Sequence, residues 1–411
     1  MNLKQVQDIL PEHPPASFCL APFIGTMQTP YGKTSPCAYG VTEWQYDALT
    51  PKQRWETDDV NQMRATFARG ETPEPCQKCV NEQLAGKNSL RQRMTQWHPS
   101  AYQDIVLSGK WQQGPMIISS KVSNVCNIAC RSCAGWDSNK FAKEGQHYVK
   151  VYNTNHDRTP GNRFVPRLPP RHTDYTGFDE IADNVVHLEF FGCEPLLNHT
   201  HLDLLQQLID TGRSKHTTLF YSTNCTQTIT PVFLNLWQHF KKLEINLSID
   251  HIGEKFEYLR WPGRWSEVEQ NIKDILDIEN KIGVPVSSTV AICATLNNFY
   301  YIDEVVDWAV ATVGSSYINM VASPLNIALH VAPDYVKRAV EQHVNTPEVI
   351  GFMNLRDHDP LEWRRFIVWN KRQDLYRKQD FTRVFPEFYA IIKHDWDAVE
   401  DLSENSFNSL G

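Results

Sequence analysis

The chain has 411 residues and a formal net charge of −8, which is enough length for two or three folded units. Its acidic balance disfavours sequence-independent nucleic-acid binding, which requires a dominant positive surface. Residues 1–15 lack the apolar core of a signal peptide, and no apolar run approaches membrane-spanning length, so we expect a cytoplasmic protein without membrane attachment. In that compartment, ten cysteines indicate metal or redox chemistry rather than disulfides.

Three regions differ in pattern: 1–110 has few long periodic segments, 111–325 alternates strand-like and helix-like segments, and 326–411 is predicted to be mainly helical. The predicted strands are 116–122, 185–191, 217–222, 243–249, 285–292 and 316–321, and the predicted helices between them are 198–210, 231–242, 266–281 and 301–313. Such alternation predicts parallel strands with right-handed crossovers, here a partial (β/α)6 TIM-like barrel of the α/β class. Its chemistry is expected at the carboxyl ends of the strands.

The segment 153–176 joins the first two predicted strands and contains four prolines and four arginines. It is interpreted either as a solvated loop or as a lid that contributes to substrate binding on the reactive edge of the barrel. Long irregular segments within compact domains are usually functional or disordered, which keeps both interpretations open.

Three cysteines at CxxxCxxC spacing, Cys126, Cys130 and Cys133, follow the first predicted strand. Three thiolates can hold three irons of a cubane cluster and leave the fourth iron open to a ligand, whereas a structural zinc site has four protein ligands. The spacing resembles that of the radical S-adenosylmethionine (SAM) enzymes. The resemblance implies a [4Fe–4S] cluster whose open iron binds SAM, and reductive cleavage of SAM to a 5′-deoxyadenosyl radical.

Three further strand ends resemble the same family. Gly192-Cys193-Glu194-Pro195 matches its Gly-Gly-Glu-Pro motif, Ser222-Thr223-Asn224 matches a Thr-Asn pair, and Ser248-Ile249-Asp250 precedes a downstream arginine. The resemblance implies that SAM is oriented by Glu194, Ser222, Asn224, Ser248, Asp250 and Arg260. Each residue has an ordinary alternative, such as ending a strand or capping a helix. The chain departs from the family where Ser132 replaces a frequent aromatic residue and where Cys193 replaces the second glycine.

A second cysteine set lies in 1–110: Cys19, Gly32 and Cys37 form C-x12-G-x4-C, and Cys76 and Cys79 follow. The pattern resembles the SPASM and twitch domains, which implies a second, auxiliary [4Fe–4S] cluster. The family normally places this module after the barrel, and the further cysteines of a full SPASM pattern are absent before Cys126. A structural zinc ion is the alternative, because four thiolates also suit Zn²⁺. Arg91 and Arg93, which follow, are expected to be solvated helix residues, and the alternative is that they face the cluster or the substrate.

Cys193, Cys225 and Cys293 lie at or just past predicted strand ends. They are interpreted as small buried hydrophobic residues, or as thiols that give a hydrogen atom to a substrate radical, with Cys193 and Cys225 preferred by position.

The family resemblance implies an enzyme of the oxidoreductase or maturase type that abstracts hydrogen from a ribosomal peptide or protein and causes oxidation, crosslinking or epimerisation. A small metabolite, such as a sugar, nucleoside or amino acid, is the alternative substrate. An electron donor such as flavodoxin or ferredoxin is the expected partner. A non-catalytic, metal-stabilised redox module or scaffold is the alternative of another class, and it predicts zinc and no SAM cleavage.

Overall fold

The computed structural model describes residues 1–30, 35–37, 49–152, 171–400 and 402, and its central element is a seven-stranded parallel sheet. The strands are β1 Gly25–Gln28, β2 Ile117–Lys121, β3 His187–Phe191, β4 Thr218–Thr223, β5 Lys242–Ser248, β6 Val286–Ala294 and β7 Ser316–Met320. They lie in sequential order, and every neighbouring pair is parallel. The predicted α/β class with a partial-barrel sheet is therefore confirmed, and β2–β7 correspond to the six predicted strands.

The helices lie between the strands and at both ends of the sheet. Before β2 they are α1 Leu3–Gln7, α2 Ala21–Ile24, α3 Pro51–Trp55, α4 Asp58–Ala68, α5 Gln77–Leu84 and α6 Leu90–Trp97. Between β2 and β7 they are α7 Asn139–Tyr152, α8 Leu202–Asp210, α9 Pro231–Trp237, α10 Gly253–Leu259, α11 Trp265–Leu276, α12 Ile278–Ile282 and α13 Ile302–Val313. After β7 they are α14 Asp334–His343, α15 Pro347–Met353, α16 Pro360–Arg377, α17 Phe381–Val384 and α18 Pro386–Asp397. Among the described residues, none of these helices combines the length and apolar character needed to cross a membrane.

The two faces of the sheet differ because successive side chains of a strand point in opposite directions. Leu219, Leu243 and Val290 are fully buried on the helix-covered face and belong to the main hydrophobic core. Ser222 and Asn246 lie on the other face, which is polar near the carboxyl ends of the strands. Apolar and polar side chains therefore alternate along these strands. The apolar ones face the helices, and the polar ones face the open side of the sheet.

Strand β1 was not predicted, because four residues that include a glycine give too short a pattern. It pairs with β2 at the edge of the sheet. Gly25 permits a close chain approach, since a Cβ there would lie 2.8 Å from the carbonyl oxygen of Pro36. Met27 N–H donates to Ser35 O at 2.6 Å. These contacts fix the segment that carries Cys37 beside the sheet.

The predicted helix 266–281 is two helices, since Asp277 has a non-helical backbone (φ −93°, ψ 2°) between α11 and α12. The helical prediction for 326–411 holds for α14–α18. In α16, Asp359 accepts from the N–H groups of Leu361 and Glu362, and Pro360 occupies the first turn, which is a favourable helix start. Most of the proposed lid segment, 153–170, and the C-terminal tail, 403–411, lie outside the described residues.

Candidate metal centres

The parallel sheet brings the predicted site residues to one edge, because carboxyl ends of parallel strands lie on the same side. The cysteine loop (residues 126–133) follows β2, Glu194 follows β3, Asn224 follows β4 and Asp250 follows β5. The described end of the proposed lid segment also reaches this edge, since Arg171 N–H donates to Asn124 Oδ1 at 2.9 Å.

Backbone hydrogen bonds hold the cysteine loop against the segment that follows α10. Ala129 N–H donates to Trp261 O, and Arg131 N–H donates to Leu259 O, both at 2.7 Å. Cys126 N–H donates to Oδ1 of Asn139, the first residue of α7, at 3.1 Å. The three cysteines are therefore presented on a backbone that is fixed at both ends.

Two side chains from other parts of the chain, one directly after β4 and one directly after α10, contact the cysteine sulfurs. Asn224 Nδ2 lies 3.7 Å from Cys126 Sγ, and Arg260 Nη1 lies 3.7 Å from Cys130 Sγ. Burial raises the pKa of Cys130 to about 12, and the Arg260 guanidinium acts against that rise. N–H donors directed at sulfur stabilise thiolate ligands and the negative charge of an iron–sulfur cluster. The donor set thus fits a sulfur-ligated cluster at this loop.

Asp250 and Arg260 form a buried ion pair at the same edge. Arg260 Nη2 donates to Asp250 Oδ1 at 2.9 Å, and Cys293 N–H donates to the same oxygen at 3.0 Å. Arg260 Nε is buried and has no hydrogen-bond partner among the described residues. The Arg260 guanidinium therefore contacts both the Asp250 carboxylate and the Cys130 sulfur, and its Nε–H remains available to a further acceptor.

Ser222 and Ser248 face each other across β4 and β5 with their Oγ atoms 3.2 Å apart. Asn246, which sequence reasoning missed, donates from Nδ2 to Ser222 Oγ at 3.2 Å. Its Oδ1 is buried without a hydrogen-bond partner in the described part of the chain. The two-residue period from Ser248 back to Asn246 is the signal that identifies it, because both side chains share one face of β5.

The Glu194 carboxylate is fully buried and ties the β3 loop to β4. It accepts from Asn224 N–H at 2.7 Å, Thr223 Oγ at 2.9 Å and Leu196 N–H at 3.1 Å. Burial raises its pKa to about 7, and these donors oppose the rise. A carboxylate has about four acceptor sites, so one remains for an outside donor such as an amine.

Cys193 and Cys225 adopt left-handed backbone conformations, with φ of 53° and 59°. Residues other than glycine rarely adopt these angles, and such strain concentrates at functional edges. Cys193 Sγ accepts from Ser123 Oγ at 3.4 Å. Cys225 is fully buried in the main core, and its thiol donates to Thr223 O at 3.7 Å. Cys193 is therefore the less enclosed of the two thiols.

The four cysteines of the N-terminal region line one small enclosed cavity of about 20 Å³, together with apolar side chains and Arg91. The cavity is lined by Cys19, Ala21, Cys37, Phe67, Cys76, Lys78, Cys79, Leu90 and Arg91. Burial and the neighbouring Cys37 and Cys79 raise the pKa of Cys76 to about 12, and Arg91 opposes this. Four cysteine sulfurs fit a fully ligated cluster or a zinc ion by their chemistry. Gly32 of the sequence pattern lies outside the described residues.

A single-ion site is not preformed: among residues 1–30, 35–37, 49–152, 171–400 and 402, no group of three or more Cys, His, Asp or Glu side chains is arranged to hold a metal ion. The four cysteines line one cavity, and this arrangement does not distinguish a cluster from zinc.

Arg91 and Arg93 are half-buried rather than fully solvated, which favours the alternative that they face the neighbouring site. Arg91 lines the four-cysteine cavity, and its Nη2 donates to Gln83 Oε1. The Arg93 guanidinium lies 5.2 Å from the ring centre of Tyr317 on β7. Helix α6 therefore links the four-cysteine cavity to the open face of the sheet.

Comparisons with known proteins give matches among solved structures only. No protein-family model and no curated protein matches the chain. The native structure of anSMEcpe with bound AdoMet is 14% identical over 63% of this chain and 60% of that chain, with a TM-score of 0.31. SuiB of Streptococcus suis bound to S-adenosylmethionine is 11% identical over 64% and 60% of the two chains, with a TM-score of 0.31. SuiB bound to its precursor peptide SuiA is 12% identical over 75% and 68%, with a TM-score of 0.30.

These matched proteins bind S-adenosylmethionine, and the chain spans about 60% of the length of the first of them. The TM-scores are too low to support a conclusion about this chain. The geometry of its own residues carries the argument that follows.

Proposed function

We propose that this chain is a radical SAM enzyme whose cysteine loop holds a [4Fe–4S] cluster with one open iron. When bound, the cluster supplies one electron to the SAM sulfonium, so that the carbon–sulfur bond breaks to methionine and a 5′-deoxyadenosyl radical, which takes a hydrogen atom from the substrate. The protein contributes by binding and orienting SAM and the substrate and by excluding competing reactions.

One observation carries the proposal: a side chain from the end of β4 and a side chain that directly follows α10 both reach the sulfurs of the cysteine loop. Asn224 approaches Cys126, and Arg260 approaches Cys130, each at 3.7 Å. A CxxxCxxC pattern that arose by chance gives no reason for polar donors from distant parts of the chain to converge on it.

The remaining residues suit the polar parts of SAM. Glu194 retains an acceptor site for the amino group, and the buried Nε of Arg260 suits a carboxylate. Ser222, Ser248 and Asp250 are proposed to orient the ribose hydroxyls or the methionyl end, because the two serine hydroxyls lie 3.2 Å apart and Asp250 accepts from Arg260. These assignments follow the order of the family's motifs along the strands.

We further propose that Cys19, Cys37, Cys76 and Cys79 hold an auxiliary [4Fe–4S] cluster. It would accept the electron of the substrate radical or help to bind the substrate. The auxiliary-cluster domain is proposed to comprise residues 1–110. The radical SAM core is proposed to comprise 111–325, and the helical region 326–411. Cys193 and Cys225 are proposed as hydrogen donors, with Cys193 favoured because Cys225 is enclosed in the core.

The proposed substrate is a ribosomal peptide or protein, by resemblance to SPASM and twitch enzymes, and a small metabolite is the alternative. We propose a cytoplasmic enzyme reduced by a flavodoxin or ferredoxin. The open face between β5–β7 and α6 is where substrate is expected, because Asn246 and Arg93 offer polar groups there.

The test is SAM cleavage by anaerobically reconstituted protein under dithionite, with 5′-deoxyadenosine and methionine quantified by mass spectrometry. The parent is expected to form both products in equal amounts, and the Cys126→Ala/Cys130→Ala/Cys133→Ala variant is expected to form neither. Cys293→Ala serves as the matched control, because Cys293 lies on the same edge but outside the loop. A parent that binds zinc and forms no 5′-deoxyadenosine would establish the scaffold alternative instead.

A further inference from the structure

Helix α16, which the proposed function leaves without a role, is bound to the cysteine loop by a buried arginine of that loop. Arg131 directly follows Cys130, and its side chain is 1% exposed. Its guanidinium donates to Asn370 Oδ1 at 2.9 Å and to Asp374 Oδ1 at 2.5 Å, both on α16. The position of the loop therefore depends on a helix about 240 residues further along the chain.

At its C-terminal end the same helix carries Arg377, whose side chain is completely buried. Arg377 Nη2 donates to Glu144 Oε2 at 2.8 Å, and Nε donates to both oxygens at 3.1 Å. The Tyr148 hydroxyl also donates to Glu144. Glu144 thus occupies one edge of the guanidinium and fixes its orientation.

The other terminal nitrogen of this guanidinium is the unusual feature. Arg377 Nη1 is buried without a hydrogen-bond partner among the described residues. Buried donors of charged groups are normally paired, because an unpaired one loses its hydration without compensation. An orphaned N–H in a fixed guanidinium indicates that an acceptor belongs beside it.

The surroundings of Arg377 identify where that acceptor lies. Its guanidinium is 5.4 Å from the ring centre of Trp261, and the Trp261 carbonyl accepts from Ala129 N–H in the cysteine loop. Arg377 and Cys130 also interact electrostatically. Cys133 and Trp261 pack against a hydrophobic cluster that includes Ala129 and Trp369 of α16. The unpaired Nη1–H of Arg377 therefore lies among residues that contact the cysteine loop.

We propose that Arg377, held by Glu144, donates its Nη1–H to a sulfur atom of the cluster bound at the cysteine loop and raises the reduction potential of that cluster. The inference rests on the proposed function, since it requires the cluster. A donor to sulfur stabilises the extra negative charge of the reduced cluster, so that the electron needed for SAM cleavage is accepted more easily.

The test is a potentiometric titration followed by electron paramagnetic resonance, on full-length protein that carries Cys76→Ser/Cys79→Ser so that only the loop cluster is observed. With Arg377→Gln we expect the reduced fraction at a fixed potential to fall about tenfold, equivalent to a midpoint about 59 mV lower for one electron. Arg372→Gln is the matched control, because Arg372 is equally buried on α16 but donates to Leu402 O. Its midpoint should equal that of the background protein.

An iron-loaded Arg377→Gln protein with an unchanged midpoint would overturn the inference and leave the proposed function intact. A background protein without any iron would overturn the proposed function. If Arg377→Gln does not fold, Arg377→Lys decides, because lysine can keep the pair with Glu144 but lacks the second terminal nitrogen. A lowered midpoint for Arg377→Lys supports the inference, and an unchanged one overturns it.

Discussion

The two cysteine sites of this molecule differ in what surrounds the sulfurs. The three-cysteine loop has polar donors at its sulfurs, namely Asn224 directly after β4 and Arg260 directly after α10. The four-cysteine cavity is lined by apolar residues such as Phe67 and Leu90, together with Lys78 and Arg91. We expect the first to be an open centre that receives a polar ligand and the second to be a closed centre whose coordination is complete within the protein.

The largest effect is expected from removing the open centre. Cys126→Ala/Cys130→Ala/Cys133→Ala should lower the iron content after anaerobic reconstitution from about eight to about four per chain, since one of two cubane clusters is lost. Iron and acid-labile sulfide assays measure this. Cys293→Ala, the control on the same edge, should keep the parent value. Equal iron in the triple variant and the parent would show that the loop holds no cluster.

Removing the closed centre should lower the iron content per chain by the same amount, but the protein should still cleave SAM. Cys76→Ser/Cys79→Ser should lose about four irons per chain and still form 5′-deoxyadenosine, because the loop is separate from the cavity. Iron analysis tests the expected loss of iron, and mass spectrometry of the reaction under reducing conditions tests whether 5′-deoxyadenosine is still formed. Loss of one zinc ion without any loss of iron would instead make the closed centre a structural zinc site.

A smaller effect is expected from the arginine that connects the loop to Asp250. Arg260→Gln removes a charged donor worth about 1.5–3 kcal/mol, so SAM affinity should fall by roughly tenfold to hundredfold. Equilibrium binding of SAM to the reconstituted protein measures this. Lys255→Gln on the neighbouring α10 is the control, since Lys255 pairs with Glu304 rather than with the site. Equal losses in the two variants would contradict a specific role for Arg260.

The last comparison concerns protein stability rather than SAM chemistry, and it involves one buried arginine in each of the two cysteine-bearing regions. Arg131 pairs with Asp374, whereas Arg64 near the closed centre donates to neutral acceptors, including Pro22 O at 2.7 Å. Arg131→Gln should therefore cost about 3–5 kcal/mol of unfolding free energy, and Arg64→Gln about 1–3 kcal/mol.

Chemical denaturation of the two arginine variants measures these costs. Arg69→Gln is the control for both, because its pair with Glu71 is exposed and is worth at most about 1 kcal/mol. A larger loss for Arg64→Gln than for Arg131→Gln would contradict the expected order.

Strands β2–β7 could be predicted because each combines a run of β-forming residues with apolar positions in the core. Leu188 and Leu219 illustrate this, since both are fully buried on the face covered by helices. Strand β1 could not be predicted, because its four residues become a strand only by pairing with β2. Short edge strands depend on such tertiary contacts more than on local pattern.

The cysteines and the strand-end residues were recognisable from spacing and order, but their contacts were not. The bonds from Arg131 to Asn370 and Asp374 join positions about 240 residues apart, and no local pattern encodes them. The same holds for Asn246, whose polar side chain in a strand becomes meaningful only beside Ser222.

The most direct test of the contrast between an open and a closed centre uses two single-centre proteins: Cys76→Ser/Cys79→Ser retains only the loop, and the triple alanine variant retains only the cavity. Each is reduced and examined by electron paramagnetic resonance with and without SAM. We predict that SAM changes the spectrum of the loop protein and leaves that of the cavity protein unchanged. A spectrum of the loop protein that does not respond to SAM would contradict the account.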